Sequence, residues 1–332
     1  MLAAAVYAQD PPIFRAKTDV VVVPVTVTDR SGRFVRGLTA DQFEISDGGV
    51  RRPVTQFTAG RVPVSLGILL DISGSMTQDP KARAAEDARW ADTRRALELL
   101  VSRLDPRDDV FFAAFAEKVG VAVPWSSEHR QLLQTFDRLR PGGKTALFEA
   151  VRLIVPAFQL ARHDRKVLLT ISDGQDTTVA AEAPPQVTHE PPRQGNRGNL
   201  PTSGGVRVEP SGRINPRRES LIIATKEAIA RSGASLYAIG IGTRKGAPVD
   251  TGTLARLSVD SGGYVEPLRD PSEISVAVAR ICDDLQSQYV LTFEPAHADG
   301  KFHPIFVKVK DGGLRVRARA GYVAAAKQQP NP

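Results

Sequence analysis

Hydrophobic and polar positions follow two different rules along this chain. Residues 18–60 read as β-structure. Asp19-Val20-Val21-Val22-Val23-Pro24-Val25-Thr26-Val27-Thr28 is dominated by β-branched residues, and Asp29-Arg30-Ser31-Gly32 supplies a turn. Gln42-Phe43-Glu44-Ile45 alternates, and Asp47-Gly48-Gly49 turns the chain into Arg52-Pro53-Val54-Thr55-Gln56-Phe57. Pro24 removes a ladder donor, so its strand is expected at an edge or a bulge.

From Val62 the rule changes. Val64–Leu70 is a continuous apolar run, as in a strand buried on both faces. A helix is predicted over Lys81–Leu104, ending at Asp105-Pro106, then strands over Asp109–Phe115 and Lys118–Val123. Helices are predicted from Ser126 or Ser127 to Leu139, before Pro141-Gly142-Gly143, and over Thr145–Ala161. A second buried strand is Lys166–Ser172. Beyond an interruption come a helix over Ser220–Ser232, a strand over Ala234–Ile241 and a helix over Pro271–Ser287. Buried strands alternating with amphipathic helices predict an α/β fold, a doubly wound, mostly parallel sheet with right-handed crossovers, over residues 62–287.

The tail returns to alternation in Tyr289–Phe293, Phe302–Lys310 and Leu314–Arg319, with turns at Asp299-Gly300 and Asp311-Gly312-Gly313. Neither β flank is long enough to bury a core alone. Residues 18–60 and 288–322 are therefore expected to form one small β-sandwich, with the α/β domain inserted between them and 323–332 as a flexible tail. Residues 178–219 hold seven prolines and five glycines, a density that predicts a disordered insert.

Composition narrows the picture. At about 150 residues per domain, a chain of 332 residues suggests two. Hydrophobic residues at 42% and charged residues at 24% exclude a wholly disordered or multi-spanning chain, and no run approaches the length of a transmembrane helix. The net charge of +7 is scattered as arginines rather than gathered in a block. Aromatic residues make up 6% and do not interleave with the basic ones, which disfavours nucleic acid as a partner. The single Cys282 excludes an internal disulfide, and its place between Ile281 and Leu285 predicts a core position. Residues 1–17 read as a leader. The apolar stretch 2–8 ending in Val6-Tyr7-Ala8 has the form of a signal-peptide remnant, which implies a secreted, periplasmic or envelope location.

The candidate chemistry sits where the strands end. Asp71-Ile72-Ser73-Gly74-Ser75 directly follows the first buried strand, in the position where ligands bind in open α/β sheets. It offers a carboxylate and two hydroxyls, hard oxygen donors suited to Mg²⁺. Gly142-Gly143-Lys144-Thr145 adds a threonine hydroxyl ahead of a helix, and Ser172-Asp173-Gly174 adds a carboxylate at the end of a second buried strand. Helix or turn capping by Asp71 and Asp173 alone would leave the convergence of five donors unexplained.

Together these segments resemble the metal-ion-dependent adhesion site of the von Willebrand factor A domain: D-x-S-x-S, then a threonine, then an aspartate in an S/T-D-G turn. The resemblance spans about residues 62–290. The flanks VTVTDRSGRFVRGLTADQFEISDGG and GLRVRARAGY are similar to those of the von Willebrand factor A-related proteins of acidobacterial genomes. The resemblance implies a non-enzymatic, cation-dependent protein-binding module for adhesion or complex assembly. Ser73, Ser75 and, in an open state, Thr145 would bind Mg²⁺ (or Mn²⁺ or Ca²⁺) directly, Asp71 and Asp173 largely through water. The remaining position would go to an Asp or Glu of a partner protein. Lys144 departs from the small residue often found there.

Two other classes fit these residues less well. A metal-dependent phosphatase of the D-x-D type would need a second aspartate where Ser73 stands, a P-loop would need glycine at Arg138, and no G-x-S-x-G elbow is present. His129, His163, His189, His297 and His303 are expected not to cluster. A basic nucleic-acid-binding protein is the other alternative. The sequence sets no oligomeric state.

Overall fold

The computed structural model describes residues 20–76, 88–179, 187–189, 206–208, 215–242 and 249–326. The first four strands are β1 (Val21–Thr28), β2 (Phe43–Asp47), β3 (Val50–Arg52) and β4 (Gln56–Ala59). The central portion follows as β5 (Ser65–Asp71), α1 (Ala88–Arg103), β6 (Asp109–Phe115), β7 (Val119–Ser126), α2 (Arg130–Phe136), α3 (Leu147–Ile154) and β8 (Lys166–Ser172). It continues with β9 (Val187–His189), β10 (Val206–Val208), α4 (Pro216–Ser232), β11 (Ser235–Ile241), α5 (Thr251–Ser258), β12 (Val265–Leu268) and α6 (Ile274–Ser287). The chain closes with β13 (Tyr289–Phe293), β14 (Phe302–Val309), β15 (Arg315–Arg317) and β16 (Gly321–Val323).

The central sheet has the order β12-β11-β8-β5-β6-β7. All neighbours are parallel except β7, which runs antiparallel to β6 at the edge. Every residue of β5 is buried because helices cover both faces. Leu66, Ile68 and Leu70 pack with Trp90, Leu97 and Leu100 of α1 and with Val278 and Ile281 of α6. Leu69 on the opposite face packs with Phe148 and Val151 of α3, Ile222 of α4 and Phe158. Gly67 interrupts the apolar run because the Phe158 ring crosses it; a Cβ there would lie 2.8 Å from that ring. This is a doubly wound, Rossmann-like α/β architecture, and its parallel strands all end on one side.

Strands from the two ends of the chain pair with one another. One antiparallel sheet has the order β15-β1-β13-β4 and the other β16-β14-β2-β3. Val21 faces Phe293 and Val25 faces Tyr289 across one ladder, and Phe43 faces Val309 across the other. Val23, Val25, Ile45, Leu291 and Phe293 meet in a single core between the sheets. Pro24 lies in β1, which has neighbours on both sides, β13 and β15. Its register partner across the β13 ladder is Val290, and β15 pairs only with Thr26–Thr28, beyond the proline.

Several boundaries move. The helix expected from Ser126 to Leu139 is confined to α2. The helix expected over Thr145–Ala161 stops at Ile154 and continues as a 3-10 turn over Val155–Leu160, because Pro156 cannot donate to an α-helical ladder. Residues 81–87 of the helix expected over Lys81–Leu104 lie outside the described residues. The disordered insert expected over 178–219 is too long at both ends. Val179 is buried in the central core, and 216–219 form the first turn of α4, capped by the Asn215 side chain. Between them β9 and β10 pair antiparallel, and the rest of that insert is outside the described residues. The flexible tail expected from 323 is also corrected: Val323 ends β16, and Ala324 is buried with its N–H donating to the Lys301 carbonyl at 2.9 Å. Residues 327–332 and the leader expected over 1–17 lie outside the described residues. Among the described residues no helix is long and apolar enough to cross a membrane.

Candidate functional site

The Asp71 carboxylate sits at the end of β5, fully buried. One oxygen, Oδ1, accepts from the Ser73 backbone N–H at 2.8 Å, and Oδ2 accepts from the Ser172 hydroxyl at 2.7 Å. The Ser73 and Ser75 hydroxyls lie 3.0 Å apart. The Ser75 hydroxyl in turn bonds the Asp173 carboxylate at the end of β8, whose Oδ1 accepts from Gln175 N–H at 2.9 Å. Four of the five expected residues thus form one hydrogen-bonded chain across two neighbouring strand ends.

Backbone bonds tie down the loop that leads to the fifth, Thr145. Gly142 N–H donates to the Ile72 carbonyl at 2.7 Å, and Gly74 N–H to the Gly143 carbonyl at 3.0 Å. These fasten the 142–145 loop alongside the loop after β5. Thr145 is buried, and its N–H donates to the Thr177 hydroxyl at 2.8 Å. Lys144 is exposed at the rim. Gly174 is required by the tightness of the Ser172-Asp173-Gly174 turn. Its φ is +78°, and a Cβ would stand 2.7 Å from the Asp250 carbonyl.

The electrostatics follow from burial. Desolvation, with the Asp173 charge adding to it, pushes the Asp71 carboxyl up to about 7 despite bonds from Ser73 and Ser172. Desolvation also raises Asp173, against the lowering effect of its hydrogen bonds and of Arg89. Two adjacent carboxylates held away from water want a countercharge. With hydroxyls as the other donors, the set is hard and all-oxygen, which fits Mg²⁺, Mn²⁺ or Ca²⁺. Among the described residues, no three His, Cys, Asp or Glu side chains converge as a metal cage. The set is instead two carboxylates with serine and threonine hydroxyls.

A pH dependence follows. An acid whose folded-state affinity for protons exceeds its ordinary value of 3.8 destabilises the fold as it ionises. The contribution of Asp71 is therefore full below that value and lost as the pH rises through about 7. Melting temperatures in EDTA should fall across that window, and the stabilisation by added Mg²⁺ should grow. A Mg²⁺ response that weakens with rising pH would contradict this assignment.

Three residues at the site, Asp176, Asp250 and Arg89, carried no signal in the sequence, and Ser172 was legible only as part of its turn. Ser172 orients Asp71. Asp176 is buried, and its Oδ2 accepts from the Phe148 N–H at 3.0 Å, which fixes the start of α3. Asp250 accepts from Thr253 N–H at 2.9 Å to cap α5 and pairs with Arg218. Arg89 reaches in from α1. Cys282 is buried in the core as expected, its thiol pushed up to about 11 by burial. The expectation that no histidines cluster is corrected: the His297 and His303 rings stack with centroids 4.3 Å apart, because the turn at Asp299-Gly300 folds β14 back on the end of β13.

Residues 66–175 match the family model described as von Willebrand factor type A domain, a stretch that contains all five expected donors. Similar solved structures include a von Willebrand factor type A protein from Catenulispora acidiphila, with 11% identity, 95% of this chain and 76% of that one covered, and TM-score 0.49. The vWF domain of the type V pili tip protein Mfa5 from Porphyromonas gingivalis shows 14% identity, 68% and 95% coverage and TM-score 0.46. An aerotolerance-related membrane protein from Bacteroides fragilis shows 16% identity, 66% and 98% coverage and TM-score 0.44. No curated protein matches the chain in sequence.

Proposed function

We propose that the protein is a divalent-cation-dependent protein-binding module, secreted or facing the cell envelope, that engages an Asp or Glu of a partner protein. Asp71, Ser73, Ser75, Thr145 and Asp173 would hold Mg²⁺, or Mn²⁺ or Ca²⁺ in its place. The observation that carries the reading is the hydrogen-bonded chain Asp71, Ser73, Ser75, Asp173 at the ends of adjacent parallel strands, with both carboxylates desolvated.

The cation supplies Lewis acidity toward an anionic oxygen. The chain supplies the rest. Ser172 and the Ser73 N–H fix the direction of Asp71, the Ser75 hydroxyl and Gln175 N–H fix Asp173, and the loop leading to Thr145 is fastened to the loop after β5 through Gly142 and Gly143. Neutral hydroxyls quench the cation less than further carboxylates would, so it keeps its attraction for an acidic side chain. The flanking strands act in this reading as a stalk domain, with the site at the opposite, loop-bearing end of the inserted domain.

Thermal melts test the site. Mg²⁺ at about 100 times its Kd should stabilise the protein by about 2.7 kcal/mol, and EDTA should reverse this. A wild-type protein indifferent to Mg²⁺, Mn²⁺ and Ca²⁺ would overturn the reading. Envelope proteins retained on the immobilised protein in Mg²⁺ and released by EDTA would then identify the partner.

A further inference from the structure

Asp176-Thr177-Thr178 follows closely on Asp173, yet its polar groups turn to a different loop. Thr177 and Thr145 are bonded reciprocally. The Thr145 N–H donates to the Thr177 hydroxyl at 2.8 Å, and the Thr177 N–H donates to the Thr145 carbonyl at 2.9 Å. The same hydroxyl reaches that carbonyl at 3.4 Å. Both backbone groups of Thr145 are thus held by one residue of the Asp173 loop.

Asp176 acts on the next turn of the same segment. Its Oδ2 accepts from the Phe148 N–H at 3.0 Å, and its Oδ1 accepts from the Thr178 N–H at 3.1 Å. The residue ahead of a helix ordinarily supplies the cap. Ala146 precedes α3 and has no side-chain cap to give, so the cap comes from the Asp173 loop instead. That loop is itself anchored at both ends. Asp250 N–H donates to the Asp173 carbonyl at 2.9 Å, and Val179 is buried in the core that contains Leu147 and Phe148.

We propose that Thr177 and Asp176 are positioning residues of the cation site: they clasp Thr145 and the start of α3 to the loop that carries Asp173, so that the spacing of these two donors is set before the cation arrives. The proposal rests on the cation reading above. A spacing set in advance matters most to Mg²⁺, which demands near-ideal octahedral geometry at about 2.1 Å. It matters less to Ca²⁺, which takes oxygens at about 2.4 Å in variable number and flexible arrangement. Loosening the clasp should therefore weaken Mg²⁺ more than Ca²⁺. Thr177 is uncharged, so its replacement changes the clasp without changing the charge that both dications feel. It is also exposed, whereas Thr145 is buried, so the substitution leaves the core alone.

The experiment is calorimetric titration of MgCl₂, and separately CaCl₂, into the full chain and its Thr177→Ser, Thr177→Val and Asp176→Ala variants, with melting curves in EDTA alongside. Thr177→Val keeps the shape and loses the hydroxyl; it should bind Mg²⁺ about fivefold more weakly, the effect of one hydrogen bond, and Ca²⁺ within about twofold of wild type. Thr177→Ser restores the hydroxyl and should restore the wild-type ratio of the two affinities. Asp176→Ala should shift the ratio the same way and also melt lower in EDTA, because α3 loses its cap. A role confined to folding would lower the melting temperature and leave the ratio unchanged. An unchanged ratio in Thr177→Val, or a serine variant that behaves like valine, overturns the proposal, and the Thr177 pair decides the matter if Asp176→Ala does not fold. Failure of the underlying site reading looks different, because wild type itself would then give no isotherm with either cation.

Discussion

Replacing Asp71 with asparagine is expected to abolish the thermal response to Mg²⁺ while leaving the metal-free protein at least as stable as wild type above pH 7. Asp71 is fully buried beside a second carboxylate, so its ionised form is a strain on the empty site, and asparagine removes the charge without removing the side-chain oxygen. That oxygen can still accept from Ser73 N–H or the Ser172 hydroxyl. Asp71→Ala should lose the Mg²⁺ response equally, but at a cost. Two buried donors lose their acceptor, and each such loss is worth about 1–3 kcal/mol. Melting curves of the three proteins in EDTA and in Mg²⁺ separate the two effects. An asparagine variant that still gains stability from Mg²⁺ would move the cation site elsewhere.

Much of this site was legible because its signals are local. D-x-S-x-S occupies five consecutive residues directly after an apolar run that only a doubly covered strand explains. The Gly142-Gly143 stop and the Ser172-Asp173-Gly174 turn are equally short-range. What stayed hidden depends on approach through space. Arg89 lies on a helix whose buried face also carries Asp92 and Thr93, so no periodicity distinguishes it. Asp176 caps a helix that begins 29 residues before it in the chain, and no local pattern records that partnership.

The elements missed in the fold have similar causes. β12 is four residues long, carries Pro267 and stands at the sheet edge, so it shows neither a continuous nor an alternating apolar pattern. α5 is a two-turn helix whose start is signalled only by Asp250. The flanking strands were readable individually through alternation. Their packing had to be argued from insufficiency, since neither flank could bury a core, and the ladders of β1 with β13 and β2 with β14 are the physical resolution.

Those flanks are joined to the inserted α/β unit by a buried polar cluster, and breaking it should give the largest loss of stability. Arg317 of β15 donates from Nη2 to both carboxylate oxygens of Asp284 of α6, each at 2.6 Å. Thr26 of β1 and Tyr237 of β11 each donate a hydroxyl to the same carboxylate at 2.8 Å. The Arg317 guanidinium also stands 4.9 Å above the Tyr264 ring. The carboxylate is 1% exposed, so removing its cation leaves a buried charge held only by neutral donors. Arg317→Met should therefore cost about 3–5 kcal/mol, near the lower figure because the arginine is itself partly exposed. Asp284→Asn should cost a similar amount by stranding the guanidinium. The double variant should cost clearly less than the two single costs added, since neither charge is then left alone. Denaturant unfolding of the four proteins measures this coupling, and single losses below about 1 kcal/mol, the scale of an exposed ion pair, would refute it. The cluster belongs to the junction with the β flanks rather than to the strand ends that carry Asp71 and Asp173. The Mg²⁺-induced stabilisation should consequently survive in every variant that folds, which separates damage to the junction from damage to the site.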